Sequence, residues 1–258
     1  MKTLKEIFAY REMIFSLVRK DLRGRYKGSV LGFLWTFINP LFQLIIYTFV
    51  FSVVLRSDID KFYLYLFVAL IPWIFFQSSI SGGSTSILSQ KDLVKKIYFP
   101  REVLPISYVC SCFMNMLFSF IIIFIVVIFS GVGINLTAVF CLPIIMLVEF
   151  IMCLGAAMIA SAVTVFFRDM EHILSIVTMA WLYLTPILYS TDMIPDKLKP
   201  IYSFNPMTPV VDAYRDILYY RSVPSLSTLL WAFALGVAVM LIGCLVFGKL
   251  KKHFVEEL

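Results

Sequence analysis

Residues 103–148 read VLPISYVCSCFMNMLFSFIIIFIVVIFSGVGINLTAVFCLPIIMLV, 46 positions without one Asp, Glu, Lys or Arg. A helix that crosses a bilayer takes about 20 apolar residues. The stretch is therefore too long for one crossing and suits two joined by a turn. The turn is written inside it as Ser130-Gly-Val-Gly-Ile-Asn-Leu-Thr137, with glycines and an Asn that interrupt helical periodicity and accept left-handed backbone. The reading is a hairpin of spans at about 104–129 and 138–167.

The same pattern extends in both directions. Ser29 to Leu55 is uncharged and broken only by Asn39-Pro40, a step that neighbouring helices tolerate in a membrane. Phe62 to Gln90 is also uncharged, its apolar part closing near Ile80 before a Ser/Gly-rich stretch. Further runs at 173–189 and 227–247 complete six expected spans, at 29–55, 62–80, 104–129, 138–167, 173–189 and 227–247. Across the 258 residues, 61% are hydrophobic and 15% charged, whereas soluble domains are about half apolar and a quarter charged. The expected class is an all-α integral membrane protein with one transmembrane domain, 29–258, preceded by a segment 1–28.

Charge sets the sides. Residues 1–28, 90–102, 168–172 and 249–258 hold 16 of the 22 basic residues and nine acidic ones. The opposite loops hold six of each. Lys and Arg near span ends favour the cytoplasm, so both termini are expected there. The basic face suits anionic lipid headgroups and requires no nucleic acid. The charged start, MKTLKEIFAYREM, does not resemble a cleavable signal peptide. Cys110, Cys112, Cys141, Cys153 and Cys244 lie in apolar runs away from both histidines, so no metal set is expected. Asn135-Leu136-Thr137 is formally a glycosylation sequon, read as chance in so short a turn.

Three segments are not simple spans. Over 4–22, Leu4, Ile7, Phe8, Phe15, Val18 and Leu22 share one helical face, expected to lie in the membrane interface as an anchor or a docking element. Arg23, Arg25 and Lys27 lead from it into the first span. In SQKDLVKKIYFPREVLP (89–105), Ser89 with Asp92 has the form of a capping box, Pro100 stops the helix, and Pro105 falls in the first turn of the next span. This predicts a short basic helix that either docks a partner or stands as a solvated loop. In the proline-rich 190–226, Thr208-Pro209 resembles an N-cap with Pro at the first helical position, and Asp212, Arg215 and Asp216 stand close enough to pair. Short helices there, beside a short fifth span, are expected to re-enter toward the bundle or to cap it from outside.

No catalytic set is visible. Within the spans the single carboxylate is Glu149, for which a structural role is favoured over a place near a substrate path. Gly243-Cys-Leu-Val-Phe-Gly-Lys249 imitates a P-loop, but Leu250 replaces the magnesium-binding Ser or Thr and no strand precedes it. Gly155, Ala156, Ala157, Ala160, Ser161 and Ala162 read as a close-packing surface, as do Gly24, Gly28 and Gly32. Phe33, Trp35, Phe37, Trp181, Tyr183 and Tyr189 are candidates to line a sugar path with flat apolar faces; packing against lipid is the other reading.

The run Tyr26-Lys-Gly-Ser-Val-Leu-Gly-Phe-Leu-Trp35 leading to Asn39-Pro40-Leu41 resembles the permease subunits of ABC-2-type transporters, particularly those exporting O-antigen or teichoic acid. So do Lys96-Ile-Tyr-Phe-Pro-Arg-Glu-Val-Leu-Pro105, Phe167-Arg168-Asp169, Asn205-Pro206 and Tyr214-Arg215. The resemblance implies a transport subunit, not an enzyme, in the bacterial cytoplasmic membrane, paired as a homodimer with two ATP-binding subunits. ATP and magnesium would sit on those partners, with no cofactor here. It assigns ATPase coupling to Asp92, Leu93, Lys95, Lys96, Ile97, Pro100, Arg101 and Glu102, with Arg168 and Asp169 as a second contact. Asp212, Tyr214 and Arg215 would belong to external re-entrant helices. The implied cargo is a polysaccharide on undecaprenyl diphosphate, such as O-antigen, teichoic acid or a capsule-like polymer. An ABC-2-type exporter of a drug, lipid or other small amphiphile is the alternative.

Overall fold

The structure is a computed structural model describing residues 2–24, 28, 30–54 and 59–258. Arg25, Tyr26, Lys27, Ser29 and Leu55, which figure in the sequence reading, lie outside the described residues.

Helices α1 (Lys2–Ala9) and α2 (Arg11–Gly24) open the chain. A tight turn at Gly32–Leu34 leads into α3 (Trp35–Thr48), which runs through Pro40 and finishes in a wider turn over Phe49–Val54. Next come α4 (Phe62–Ser84), the short α5 (Lys91–Lys96) and α6 (Val103–Phe129). Gly131 and Gly133 take positive φ, at 69° and 83°, and reverse the chain at the predicted turn. There follow α7 (Leu136–Val139), α8 (Leu142–Phe166) and α9 (Met170–Tyr183). The remaining helices are α10 (Lys199–Ser203), α11 (Met207–Leu218), α12 (Leu226–Leu250) and α13 (Phe254–Glu257).

Among the described residues, five helical stretches are long and apolar enough to cross a membrane: Gly32–Val54, Phe62–Ser84, Val103–Phe129, Leu136–Phe166 and Leu226–His253. The expected fifth span, 173–189, is instead the 14-residue α9, about 21 Å long against a hydrocarbon core of about 30 Å, followed by turns.

Helix α4 forms the hub. Leu64 through Ile71 are essentially inaccessible, because α3, α6, α8, α9 and α11 surround it. Its C-terminal part corrects the sequence boundary at Ile80: Gly82 and Gly83 belong to the helix. A Cβ on Gly82 would fall 1.8 Å from the Tyr108 hydroxyl, and one on Gly83 would sit 3.0 Å from the Ala157 Cβ. The Ser/Gly stretch is thus a packing surface.

Helices α8 and α12 approach backbone to backbone. A Cβ on Gly243 would lie 2.4 Å from the Gly155 carbonyl oxygen, and one on Gly155 would lie 2.5 Å from the Met240 Cα. This bears out the packing role of the small residues in the fourth span. Residues 243–249 are helical throughout and form no phosphate loop. Among the described residues no atom lies within 4 Å of a Cβ placed on Gly24, Gly28 or Gly32, so no close packing of that set is seen among them.

Two apolar cores divide the bundle. The larger joins α4, α6, α8 and α11. The smaller gathers Ile87, Val94, Phe99, Val103, Leu104, Met158, Val165, Phe247 and Phe254. Against the smaller core pack Tyr10, Met13, Ile14 and Leu17, a helical face of α2 different from the predicted one. Phe8 and Phe15 of the predicted face are exposed. Residues 85–104, the end of α8 and both terminal segments therefore share one end of the bundle, called here the terminal end. At the opposite loop end, the Asn135 side-chain amide donates to the Arg221 carbonyl at 2.8 Å. Asn135 also caps α7 through Thr137 N–H, which occupies both ends of the sequon side chain.

Candidate functional site

At the terminal end the predicted coupling helix is shorter than its sequence suggests. A tight turn at Leu88–Gln90 continues from α4 directly into α5, so no free helix start is left for a capping box. The Ser89 hydroxyl bonds to the Ser86 carbonyl at 3.2 Å instead. The candidate residues then separate into two groups. Asp92, Lys95, Lys96 and Ile97 point outward, with Tyr98 95% exposed. Val94 and Phe99 are buried in the smaller core, while Leu93 and Pro100 are half-buried. The result is a basic knuckle with an apolar tip, fixed from below by two buried anchors.

Arg101 and Glu102 face the protein. Arg101 donates to the Lys251 carbonyl and lies over the Phe254 ring, and Glu102 pairs with the Lys251 ammonium. They brace the knuckle against the end of α12. A carboxylate at the mouth of an apolar helix needs a cationic partner, but nothing in the local pattern singles out Lys251 from so distant a segment. Phe167, Arg168 and Asp169 are exposed at the same end, in the turn between α8 and α9.

At the loop end lies the break after α9, where turns over 184–189 leave carbonyls without helical partners. Buried polar backbone needs such partners, and two side chains supply them. Asn205 donates to the Leu184 carbonyl at 3.1 Å and to the Thr185 hydroxyl at 2.9 Å. Its own oxygen accepts from Trp181 Nε1 and from Met207 N–H, both at 3.1 Å. Arg215, 2% exposed, donates to the Pro186 and Ile187 carbonyls at 2.5 and 2.8 Å and lies 3.6 Å from the Tyr65 ring centre.

These contacts correct two sequence readings. Helix α11 starts at Met207, set by Asn205, and does not start at Thr208-Pro209. The Arg215 guanidinium goes to carbonyls, and among the described residues no ion pair joins it to Asp212 or Asp216. Burial pushes the Asp212 carboxyl up to about 6, with the nearby Arg215 charge opposing the rise.

Between the two ends, Tyr214 donates to Glu149 Oε2 at 2.7 Å, with both side chains inaccessible. This is the structural role favoured for Glu149, and it ties α11 to α8. Asp212, Tyr214 and Arg215 thus share a helix whose apolar face sits in the larger core.

The six aromatic candidates do not come together within one chain. Phe33 and Phe37 meet edge to face, with ring centres 5.3 Å apart. Trp35 lines a separate small cavity with Asn39 and Asn115. Trp181 is held by Asn205 and Phe76. Tyr183 is exposed, and its carbonyl accepts from the Tyr189 hydroxyl at 2.8 Å.

Residues 12–219, spanning the knuckle, the α9 break and the α11 knot, match the ABC-2 type transporter family model. The chain belongs to this family. Over its whole length it is 32% identical to the O-antigen export system permease protein RfbA of Myxococcus xanthus, all of which is covered. Two proteins of that name from Klebsiella pneumoniae are 33% and 34% identical over 96% of this chain and 95% of their own. This ABC-2 chain is accordingly a multi-pass membrane protein and a transport subunit. Of its described motifs, Ile97 to Pro105 falls at the brace and Asn205 and Arg215 at the break.

Proposed function

We propose that this chain is the permease half of an ATP-driven exporter that moves an undecaprenyl-diphosphate-linked polysaccharide outward across the bacterial cytoplasmic membrane. The observation that carries the reading is full-length similarity to O-antigen export permeases, combined with an exposed knuckle braced on a buried core. A drug or small-amphiphile exporter is not favoured by these relatives. Residues 1–28 serve as the interface element and 29–258 as one transmembrane domain, with the terminal end in the cytoplasm in accordance with its positive charge.

The working unit is a homodimer on two ATP-binding subunits, which supply ATP and magnesium. Asp92, Lys95, Lys96 and Ile97 receive the partner's stroke, helped by Arg168 and Asp169. Through Arg101 and Glu102 the push passes to Lys251 and so to α12, a rigid route of charged contacts. Helix α9 with its following turns forms the fifth of six crossings. Helix α11 re-enters from outside, as its buried apolar face and the capped break support. Phe33, Trp35, Phe37, Trp181, Tyr183 and Tyr189 face the sugar path where two copies meet.

Reversing the charge of Lys95 and Lys96 together, or replacing Pro100 with Leu, should abolish surface polymer in cells while membrane fractions retain the protein. Copurification of the ATP-binding subunit should fall in the charge-reversed variant. Normal polymer display with both variants would refute the coupling assignment.

A further inference from the structure

Beside its contact with the smaller core, α2 borders a cavity of about 2010 Å³, open along one side. Its walls are Ile14, Phe15, Val18 and Leu22 of α2, Gly32 and Phe33 ahead of α3, the Cys110–Phe118 stretch of α6, and the start of α8 from Pro143 to Phe150. These walls are almost wholly apolar. Their charged members are Arg11, Arg19, Lys20 and Arg23, all from α2, and no carboxylate lines the cavity among the described residues.

Two of these cations are engaged. Arg11 lies over the Phe8 ring and 3.8 Å from Glu12, and Lys20 donates to Gln90 at 3.3 Å. Arg19 and Arg23 are exposed and make no ion pair among the described residues. They are four positions apart, so their side chains leave the same face of α2.

A broad, open apolar groove bordered on one edge by two exposed guanidiniums matches an amphiphile with hydrocarbon chains and an anionic phosphate head. Guanidinium forks bind phosphate oxygens in pairs, and the hydrocarbon finds a dry wall along α6 and α8. We propose that this groove is a binding site for an anionic diacyl phospholipid, its phosphate between Arg19 and Arg23 and an acyl chain against Met114, Leu117 and Leu147. The lipid fills the space between the N-terminal helices and the transmembrane bundle, and so fixes α2 against α6. The groove shares Phe33 with the proposed sugar path, but the lipid assignment does not depend on which cargo the transporter carries.

The test uses the full-length protein purified in detergent and stripped of lipid, titrated with dioleoyl-phosphatidylglycerol and followed by native mass spectrometry and thermal unfolding. Dioleoyl-phosphatidylcholine, inorganic phosphate and undecaprenyl phosphate serve as competitors. The expected result is one tightly held phosphatidylglycerol that raises the melting temperature and is displaced by none of the three. Arg19→Gln with Arg23→Gln should weaken it about thirtyfold, two basic side chains at the surface value each. Leu147→Trp, filling the slot from the far wall, should weaken it while leaving both arginines in place. Lys197→Gln with Lys199→Gln, at the loop end, should leave it unchanged.

Equal binding of the phosphatidylcholine lipid, or unaltered affinity in the arginine variant, overturns the proposal. Displacement by inorganic phosphate shows an ion site without a hydrocarbon requirement, and displacement by undecaprenyl phosphate gives the groove to a polyprenyl carrier. A stripped protein that runs as a dimer and takes up no lipid assigns the face to a second copy. Each of these three results also refutes it.

Discussion

Arg215→Ala removes the guanidinium that closes the break after α9. In the folded protein this group makes two charged hydrogen bonds to carbonyls, at 2.5 and 2.8 Å, and a cation–π contact at 3.6 Å. Hydrogen bonds to charged groups contribute about 1.5–3 kcal/mol each, and a desolvated cation–π pair about 2 kcal/mol. Against this stands the desolvation of the cation, whose Nε finds no partner among the described residues. The substitution also strands two buried carbonyls. Each stranded buried acceptor costs about 1–3 kcal/mol, so the pair costs about 2–6 kcal/mol, which corresponds to a drop of about 10 °C in Tm for a chain of this size. Arg215→Lys should recover part of the loss, because one ammonium reaches one of the two carbonyls and lacks the planar fork. Thermal unfolding of the detergent-purified protein measures both, with the exposed Lys197→Ala as reference. If Arg215→Ala melts with Lys197→Ala, Arg215 does not hold the break.

The Glu149–Tyr214 bond makes its own prediction. Glu149→Leu and Tyr214→Phe should each destabilise by about 1–3 kcal/mol by stranding the partner. The double variant should lose less than the sum, and Glu149→Gln should stay near wild type because its amide oxygen still accepts; a double-mutant cycle on Tm decides this. Gly243→Leu should force α12 off α8 at a cost of about 1–3 kcal/mol or more, whereas Gly248→Ala on the same helix, where a Cβ meets nothing within 4 Å among the described residues, should leave Tm unchanged or slightly raised, since Ala favours a helix over Gly. For Asp212, the folded-state carboxyl titrates near 6 in place of 3.8. The stabilisation from its bound proton is fully present below the ordinary value and lost as pH climbs through about 6. Asp212→Asn should therefore match wild type in Tm near pH 4 and exceed it at pH 8; a constant difference would count against the burial of this carboxyl.

Hydropathy and charge, read along the chain alone, determined the all-helical membrane class and the hairpin at 103–148. They also placed the turn at Gly131 and Gly133 and showed that 89–101 and 190–226 are not ordinary loops. These properties are local: a run of uncharged residues is apolar wherever it folds, and a glycine accepts positive φ regardless of its neighbours. Only the tertiary structure decided how distant residues satisfy one another. Arg101 and Glu102 looked like partner-facing charges until Lys251, some 150 positions away, occupied them. Arg215 looked like a partner for Asp212, yet two orphaned carbonyls outcompete a carboxylate that is itself driven toward neutrality by burial. Gly82 and Gly83 looked like a helix end until Tyr108 and Ala157 filled the space their missing side chains leave. Whether a polar or small residue is a boundary, a brace or a contact depends on which atoms lie beside it in space, and sequence order does not carry that information.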